Sequence, residues 1–387
     1  MFFCLHFEIQ DTVSAWNPNT TVQMSSNNTS TSAPPNTNRD NNTSCMAMAL
    51  RVTFAIIAFL AVFGNFLVVV VLVKNRILKR HASAVVIFCL AVCDMATGIV
   101  LVFTPAFIIG DENIPVPSGL AGELYCRLVT SQYFVFTLGK ISIAMIMFLA
   151  VERWYAVAKP VKYKTIFTRK RMSTYVVFIC LACLILNGRA LFEKVLVTNA
   201  SKRMCKWVSL TSSEYFNRSY VITHSIITFY IPLVVTMAAF IHLFIIIRKQ
   251  RGLTANVRQS APVIQLLRMC FVTSLVLGLC WLPNQLVFVM IKFGVTKPDT
   301  PLHHATIVVS MLNSCANPWI YCATSRTFRR GFFGIFCGCR GNRVAIDSTE
   351  MTIAAANRLA HGDARRVGAG QDDKEEQKST VPGLPTP

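Results

Sequence analysis

A few polar residues stand inside long apolar runs, and their types are those that do chemistry in hydrocarbon. Gly64-Asn65 interrupts one run, Asp94 the next, and Lys140 a third that ends in Glu152-Arg153-Trp154. Cys280-Trp281-Leu282-Pro283 and Asn317-Pro318-Trp319-Ile320-Tyr321 mark two later runs. A charge or amide at membrane depth is costly, so such groups are retained for ligands, ions, protons or switching. Glu152 and Arg153 can pair with each other. Lys140 has no acid obviously opposite, and an unpaired buried ammonium is costly or deprotonates. It is read either as satisfied by carbonyls and water or held neutral, or as a counter-ion for a ligand carboxylate. Helix geometry turns it toward spans four and five, near His224 and Asn187. No nucleophile or metal cluster points to an enzyme. His303-His304 lacks a nearby acid and reads as interfacial.

The elements that must position these residues are seven apolar runs. The chain is 53% hydrophobic and 14% charged, with mean hydropathy +0.49, against about 25% charged in soluble domains. A span needs about 20 apolar residues. The candidates are 52–73, 82–110, 128–151, 172–188, 219–247, 269–291 and 302–325. Pro105, Pro232, Pro283 and Pro318 lie inside four of them, where a bundle tolerates a kink. The alternating segments of a β-barrel are missing, as is the repeat symmetry of a transporter. The fold class is an all-α membrane protein, a seven-transmembrane helix bundle. Residues 1–45 are expected to be a disordered glycosylated tail, 46–325 the bundle, 326–340 a short membrane-surface amphipathic eighth helix, and 341–387 a disordered cytoplasmic tail.

Charge gives the threading. Segments 74–80, 153–171, 248–268 and 326–343, after runs one, three, five and seven, hold 21 Lys/Arg, and the N-terminal tail with the segments after runs two, four and six holds 11. Basic loops stay cytoplasmic, so the N-terminus is expected outside and the C-terminus inside. The net charge of +20 then reflects topology and attraction to anionic lipids and implies no nucleic acid. Sequons at Asn19, Asn27, Asn28, Asn41, Asn42, Asn199 and Asn217 all fall in segments assigned outside. Met1–Gln10 lacks a basic n-region and a long apolar stretch, so the first span is expected to act as the signal anchor. Cys126 and Cys205 lie at the oxidising exterior, which permits a bridge. Cys4 and Cys45 either pair or stay free. Cys337 and Cys339, just inside the membrane, suit S-palmitoylation.

Taken together, these motifs resemble those of the rhodopsin-like (class A) G-protein-coupled receptors over roughly residues 46–340. The carriers are Gly64-Asn65-Phe66-Leu67-Val68, Leu90-Ala91-Val92-Cys93-Asp94, Glu152-Arg153-Trp154 with Pro160 behind it, the Cys280–Pro283 and Asn317–Tyr321 motifs, and Phe328-Arg329-Arg330-Gly331-Phe332. The resemblance implies a plasma-membrane receptor that signals through heterotrimeric G proteins, with arrestin as a further partner. It implies that Glu152, Arg153, Trp281, Pro283, Asn317, Pro318 and Tyr321 carry activation and coupling. It also implies an allosteric sodium ion held by Asp94, Ser142, Asn313 and Asn317, with no other cofactor. Several positions depart from the family. Cys126 lies two residues further from Arg153 than usual, so a shifted or bulged helix start is expected. Span four lacks its Trp, Phe240 replaces a Tyr, and Leu277 replaces a Phe. No Asp or Glu occurs between Tyr215 and Pro298, so Arg153 cannot pair with an acid on the sixth helix.

The ligand pocket is expected at Gln132, Val135, Lys140, Tyr220, His224, Gln285, Lys292 and Met311. Val135 stands where amine receptors carry an Asp, and Met311 where an opsin carries its retinal Lys. Residues 280–285 and 313–318 look most like the neuropeptide-receptor branch, so the expected ligand is a neuropeptide. The alternatives are a receptor for a lipid or other small carboxylate, and a constitutive seven-helix signalling or scaffold protein.

Overall fold

The computed structural model describes residues 37–110, 114–199, 202–251, 261–298 and 300–336. Long helices dominate it. Helix α1 is Thr37–Lys74 and α2 is Ala84–Phe103. Helix α3 joins Gly119–Leu124, a π-helical Tyr125–Thr130 and Tyr133–Ala158. Helix α4 is Arg169–Asn187. Helix α5 joins Glu214–Ser225, a π-helical Ile226–Tyr230 and Ile231–Arg251. Helix α6 is Ala261–Lys292, α7 is Pro301–Thr324 and α8 is Arg326–Phe336. The first six are long and apolar enough to cross a membrane. The more polar α7 turns Ser310, Asn313, Ser314 and Asn317 into the bundle.

Polarity is inverted relative to a soluble protein. Asn65, Asp94 and Glu152 are wholly buried, whereas Phe59, Phe103, Phe178 and Trp319 are each about two-thirds exposed. Water would oppose that arrangement, whereas lipid favours it. A seven-helix bundle with an apolar exterior is a multi-pass membrane protein.

The prolines show how such helices are stitched. Pro318 has no N–H and cannot bond the carbonyl four residues back, at Ser314. Asn65 Nδ2 donates to that carbonyl at 2.8 Å and to Ala61 O at 2.9 Å. A Cβ on Gly64 would lie 3.0 Å from Pro318 Cγ. Gly64-Asn65 and Asn317-Pro318 are therefore one joint between α1 and α7. Before Pro232, the α5 ladder opens into a π turn, and the Ile231 N–H reaches Ile226 O. A π turn of this kind is the usual local adjustment where an α-helical ladder is interrupted.

Pro105 departs from expectation. It ends α2 rather than kinking it, because Thr104 before it is extended (φ −86°, ψ 111°), as the residue preceding a proline prefers. Helix α1 also starts inside the segment read as tail. It begins at Thr37, so Asn41 and Asn42 fall on its first turns, and the apolar part runs from Met46. Extending an existing helix costs far less than nucleating one. Asn19, Asn27, Asn28, Cys4, Cys337 and Cys339 lie outside the described residues. Within the 326–340 segment, α8 is described to Phe336. It buries Phe328 and Phe332 and exposes Arg329 and Arg330 on its other side. Gly331 lets it lie on α1, since a Cβ there would meet Val71 at 2.8 Å.

One end of the bundle carries a β-hairpin, β1 Lys194–Asn199 against β2 Lys202–Trp207, with Leu196 opposite Cys205. Cys205 is disulfide-bonded to Cys126 in α3, 79 residues away. The two-residue excess between Cys126 and Arg153 is absorbed by the π segment and by Gln132, whose φ is 59°. The spacing departure is therefore a bulged helix start with the bridge intact.

Candidate functional site

Three polar centres line the bundle from the disulfide end to the opposite end. The middle one is Asp94. Ser142 Oγ donates to its Oδ1 at 3.3 Å and Asn317 Nδ2 to its Oδ2 at 2.8 Å. Among the described residues no cation forms an ion pair with it. Asn313, the fourth expected member, bonds to none of them: both its amide atoms and Asn317 Oδ1 are buried without partners. The two unpaired amide oxygens, with the Asp94 carboxylate and the Ser142 hydroxyl, are hard oxygens of the kind a small cation takes.

The second centre lies at the end of α3. Arg153 Nε pairs with Glu152 Oε2 at 2.8 Å, with Glu152 fully buried. Tyr163, on the short helix Pro160–Ile166, donates its OH to Glu152 Oε1 at 2.6 Å. Burial, reinforced by the Glu152 charge, pushes the Tyr163 phenol up, so the hydroxyl keeps its proton. In place of an acid on α6, Gln265 Nε2 ties that helix to α7 by donating to Thr324 O at 2.9 Å. Trp154 Nε1 donates to His242 Nδ1 at 2.8 Å, joining α3 to α5. Phe240 packs edge-on against Phe271 at 5.7 Å, and Tyr321 lies against Phe328 at 5.2 Å.

Sequence reasoning missed Tyr163 and Gln265, because ordinary loop and helix-end residues acquire these roles only through tertiary contact. Tyr163 orients the carboxylate that holds Arg153. Tyr163→Phe should therefore lower the thermal midpoint of the purified protein. A hydrogen bond to a charged group is worth about 1.5–3 kcal/mol, so the expected fall is a few degrees. A midpoint equal to that of the natural protein would contradict this role.

The third centre lies toward the disulfide end. Lys140 Nζ donates to Gln285 Oε1 on α6 at 2.8 Å. It also sits 5.5 Å from the Trp281 ring and 5.7 Å from the Phe229 ring. It lies on the α5 side, as expected, but it bonds to Gln285 rather than to His224 or Asn187. Those two residues satisfy each other, with His224 Nε2 3.2 Å from Asn187 Oδ1, and the long lysine swings to the free amide of Gln285. Gly139 makes room for Trp281, since a Cβ there would lie 2.2 Å from Cζ2 of its ring.

Of the other expected pocket residues, Tyr220 stacks on His224 at 5.7 Å. Lys292 pairs with Glu193 at 3.9 Å. Val135 and Met311 are buried in the apolar core, and Gln132 is half-buried at the α3 bulge. Two residues the sequence did not single out organise the mouth. Arg189 lies 4.3 Å over the Tyr220 ring and pairs with Glu193 at 2.6 Å. Glu193 thus links the base of the hairpin to Arg189, just after α4, and to α6. The signal for that pair was its i,i+4 spacing.

Asn217 sits within α5, its Nδ2 donates to Ser209 Oγ and Thr211 O, and its Oδ1 accepts from Arg189. Asn199 closes β1 at the hairpin turn.

A polar core threaded by proline joints, with an Arg–Glu pair at one end and a disulfide-tied hairpin at the other, has a match among known families. The profile for the seven-transmembrane receptors of the rhodopsin family aligns with residues 64–321. The chain belongs to that family. Its members are receptors rather than enzymes, and the receptor is accordingly a multi-pass protein of the plasma membrane. It is 28% identical over 325 residues to a QRFP-like peptide receptor of Branchiostoma floridae, covering 77% of this chain and 80% of that one. It is 24% identical over 332 residues to the human histamine H2 receptor, covering 84% and 85%.

Proposed function

We propose that this receptor takes a peptide ligand at its disulfide end, which faces outward, and couples to a heterotrimeric G protein at its Arg153 end, which faces the cytoplasm. The observation that carries the coupling is the Arg153–Glu152 ion pair. It is nearly buried, oriented by Tyr163, and unsupported by any acid on α6. Such a pair is a restraint that an equilibrium between two states can release. The Lys/Arg excess at that end supports the orientation.

The peptide assignment is supported by the Branchiostoma relative, which is named as a peptide receptor, and by the disulfide-tied hairpin at that end. Against an amine ligand stand the apolar Val135 and the cations Arg189 and Lys292 at the mouth, although the histamine receptor is also a relative. Screening a peptide and lipid library with calcium and cAMP readouts tests the assignment. At least one peptide should evoke a response that untransfected cells lack. A response confined to lipids would replace the peptide reading. Membrane lipids surround the bundle, and arrestin joins the proposed partners at the cytoplasmic end.

The Asp94 cluster is proposed to bind sodium in the resting state, with Asp94, Ser142, Asn313 and Asn317 as its residues. What such an ion supplies is neutralisation of a buried carboxylate. The unpaired Oδ1 atoms of Asn313 and Asn317 are what favour it. A ligand preferring one state shifts the population toward that state, so sodium should lower agonist affinity. Asp94→Asn should abolish the effect. Agonist affinity indifferent to sodium in the natural receptor would remove the ion from the account.

A further inference from the structure

Toward the disulfide end the bundle buries a lysine that no acid faces. Lys140 is 4% exposed, and its one side-chain hydrogen bond among the described residues is to Gln285. An ammonium has three donors and no acceptor. No Asp or Glu occurs on α3 between Glu123 and Glu152, on α4, or anywhere from Phe216 to Lys297, which spans most of α5 and all of α6. A second donor lies beside it: Trp281 Nε1, on the ring that Lys140 overhangs, is buried without a partner. An indole N–H can only donate.

The approach to this floor is cationic as well. The hairpin carries Lys194, Lys202, Arg203 and Lys206 and no acid. Glu193 at its base is already shared by Arg189 and Lys292. A cleft lined by one sign of charge concentrates the opposite sign, and a buried donor set without acceptors is unfavourable until an acceptor arrives.

We infer that the ligand carries a carboxylate, and that this group is bound deep in the pocket by Lys140, replacing Gln285 as its acceptor, with Trp281 Nε1 as a second donor. The same carboxylate chemistry is offered by a free peptide C-terminus, an acidic side chain or a small organic acid. Because Trp281 and Gln285 both stand on α6, beside Pro283, the anion's arrival acts directly on the helix that carries the kink. This deepens the receptor reading and rests on it. Arg153-dependent nucleotide exchange without ligand tests that reading separately.

The test uses the purified full-length receptor in lipid nanodiscs, with thermal midpoint against probe concentration as the readout. Three matched pairs separate the sources. Sodium hexanoate is compared with hexanamide, N-acetyl-Gly-Leu-Phe with its C-terminal amide, and N-acetyl-Glu-Leu-Phe-amide with its Gln counterpart. In at least one pair the acid should half-saturate the receptor at a concentration about tenfold to a hundredfold below its neutral partner, the strength of one charge-assisted hydrogen bond. Lys140→Met should reduce that ratio to about one, and Lys140→Arg should retain it. Should Lys140→Met not fold, Gln285→Met carries the test. Freed of its internal acceptor, Lys140 should bind the acid several times more tightly. Acid and neutral probes acting alike on the natural receptor would overturn the inference. So would an acid preference that survives Lys140→Met, or one that Gln285→Met leaves unchanged or weakens.

Discussion

Cys126→Ala and Cys205→Ala are each expected to cost the receptor most of its surface expression. The bridge closes a segment of 79 residues, and such closures stabilise by about 2–4 kcal/mol by restricting the unfolded chain. The effect here goes beyond chain entropy. The hairpin bears Cys205 directly opposite Leu196, and its base is held by Glu193. Without the bridge, the hairpin keeps only single polar ties, Arg203 Nε to Val116 O and Glu193 to Lys292 among them, and Arg189, Lys292 and Tyr220 are held less firmly. Surface immunostaining and ligand response should fall together in both single mutants and be no lower in the double mutant. Normal surface levels in either single mutant would refute a structural role for the bridge.

What can be read from the sequence follows from the type of solvent. In a bilayer a buried polar residue is rare enough to be conspicuous, so Asn65, Asp94, Glu152, Arg153 and Asn317 stand out from their apolar neighbours in the sequence alone. The proline positions are equally plain, but what each does is not. Pro318 forms a joint because Asn65 comes from 249 residues away to satisfy Ser314 O. Pro105 ends a helix because its neighbour turns extended.

The less legible residues are those whose role depends on where a flexible side chain goes. Counting helix turns places Lys140 beside His224. It cannot show that Gln285 is the acceptor Lys140 takes, or that Gly139 opens the space for Trp281. Tyr163 sits on a short loop helix, and its contact with Glu152 depends on how that helix folds back. Gln265 ties α6 to α7, yet a glutamine near a helix end carries no signal of its own. The extra residues after Cys126 are visible as a spacing anomaly, and the π turn is their physical form.

Arg153 carries the largest functional effect. It is the cation of a nearly buried pair, and it lies at the end of the bundle opposite the pocket. Its loss should uncouple the receptor without disturbing ligand recognition, because two sites joined by a conformational equilibrium communicate through that equilibrium rather than by contact. Removing one member of a buried pair outright is destabilising by about 3–5 kcal/mol. Arg153→Gln is therefore the better variant, since its amide can still donate to Glu152.

The decisive measurement is GTP-analogue uptake by purified heterotrimeric G proteins of each class, mixed with the receptor in nanodiscs and no added ligand. With no acid on α6 to restrain Arg153, at least one G protein should exchange nucleotide faster than with empty discs. Arg153→Gln, at an unchanged thermal midpoint, should return that rate to the empty-disc level. A rate from Arg153→Gln equal to that of the natural receptor would contradict the account.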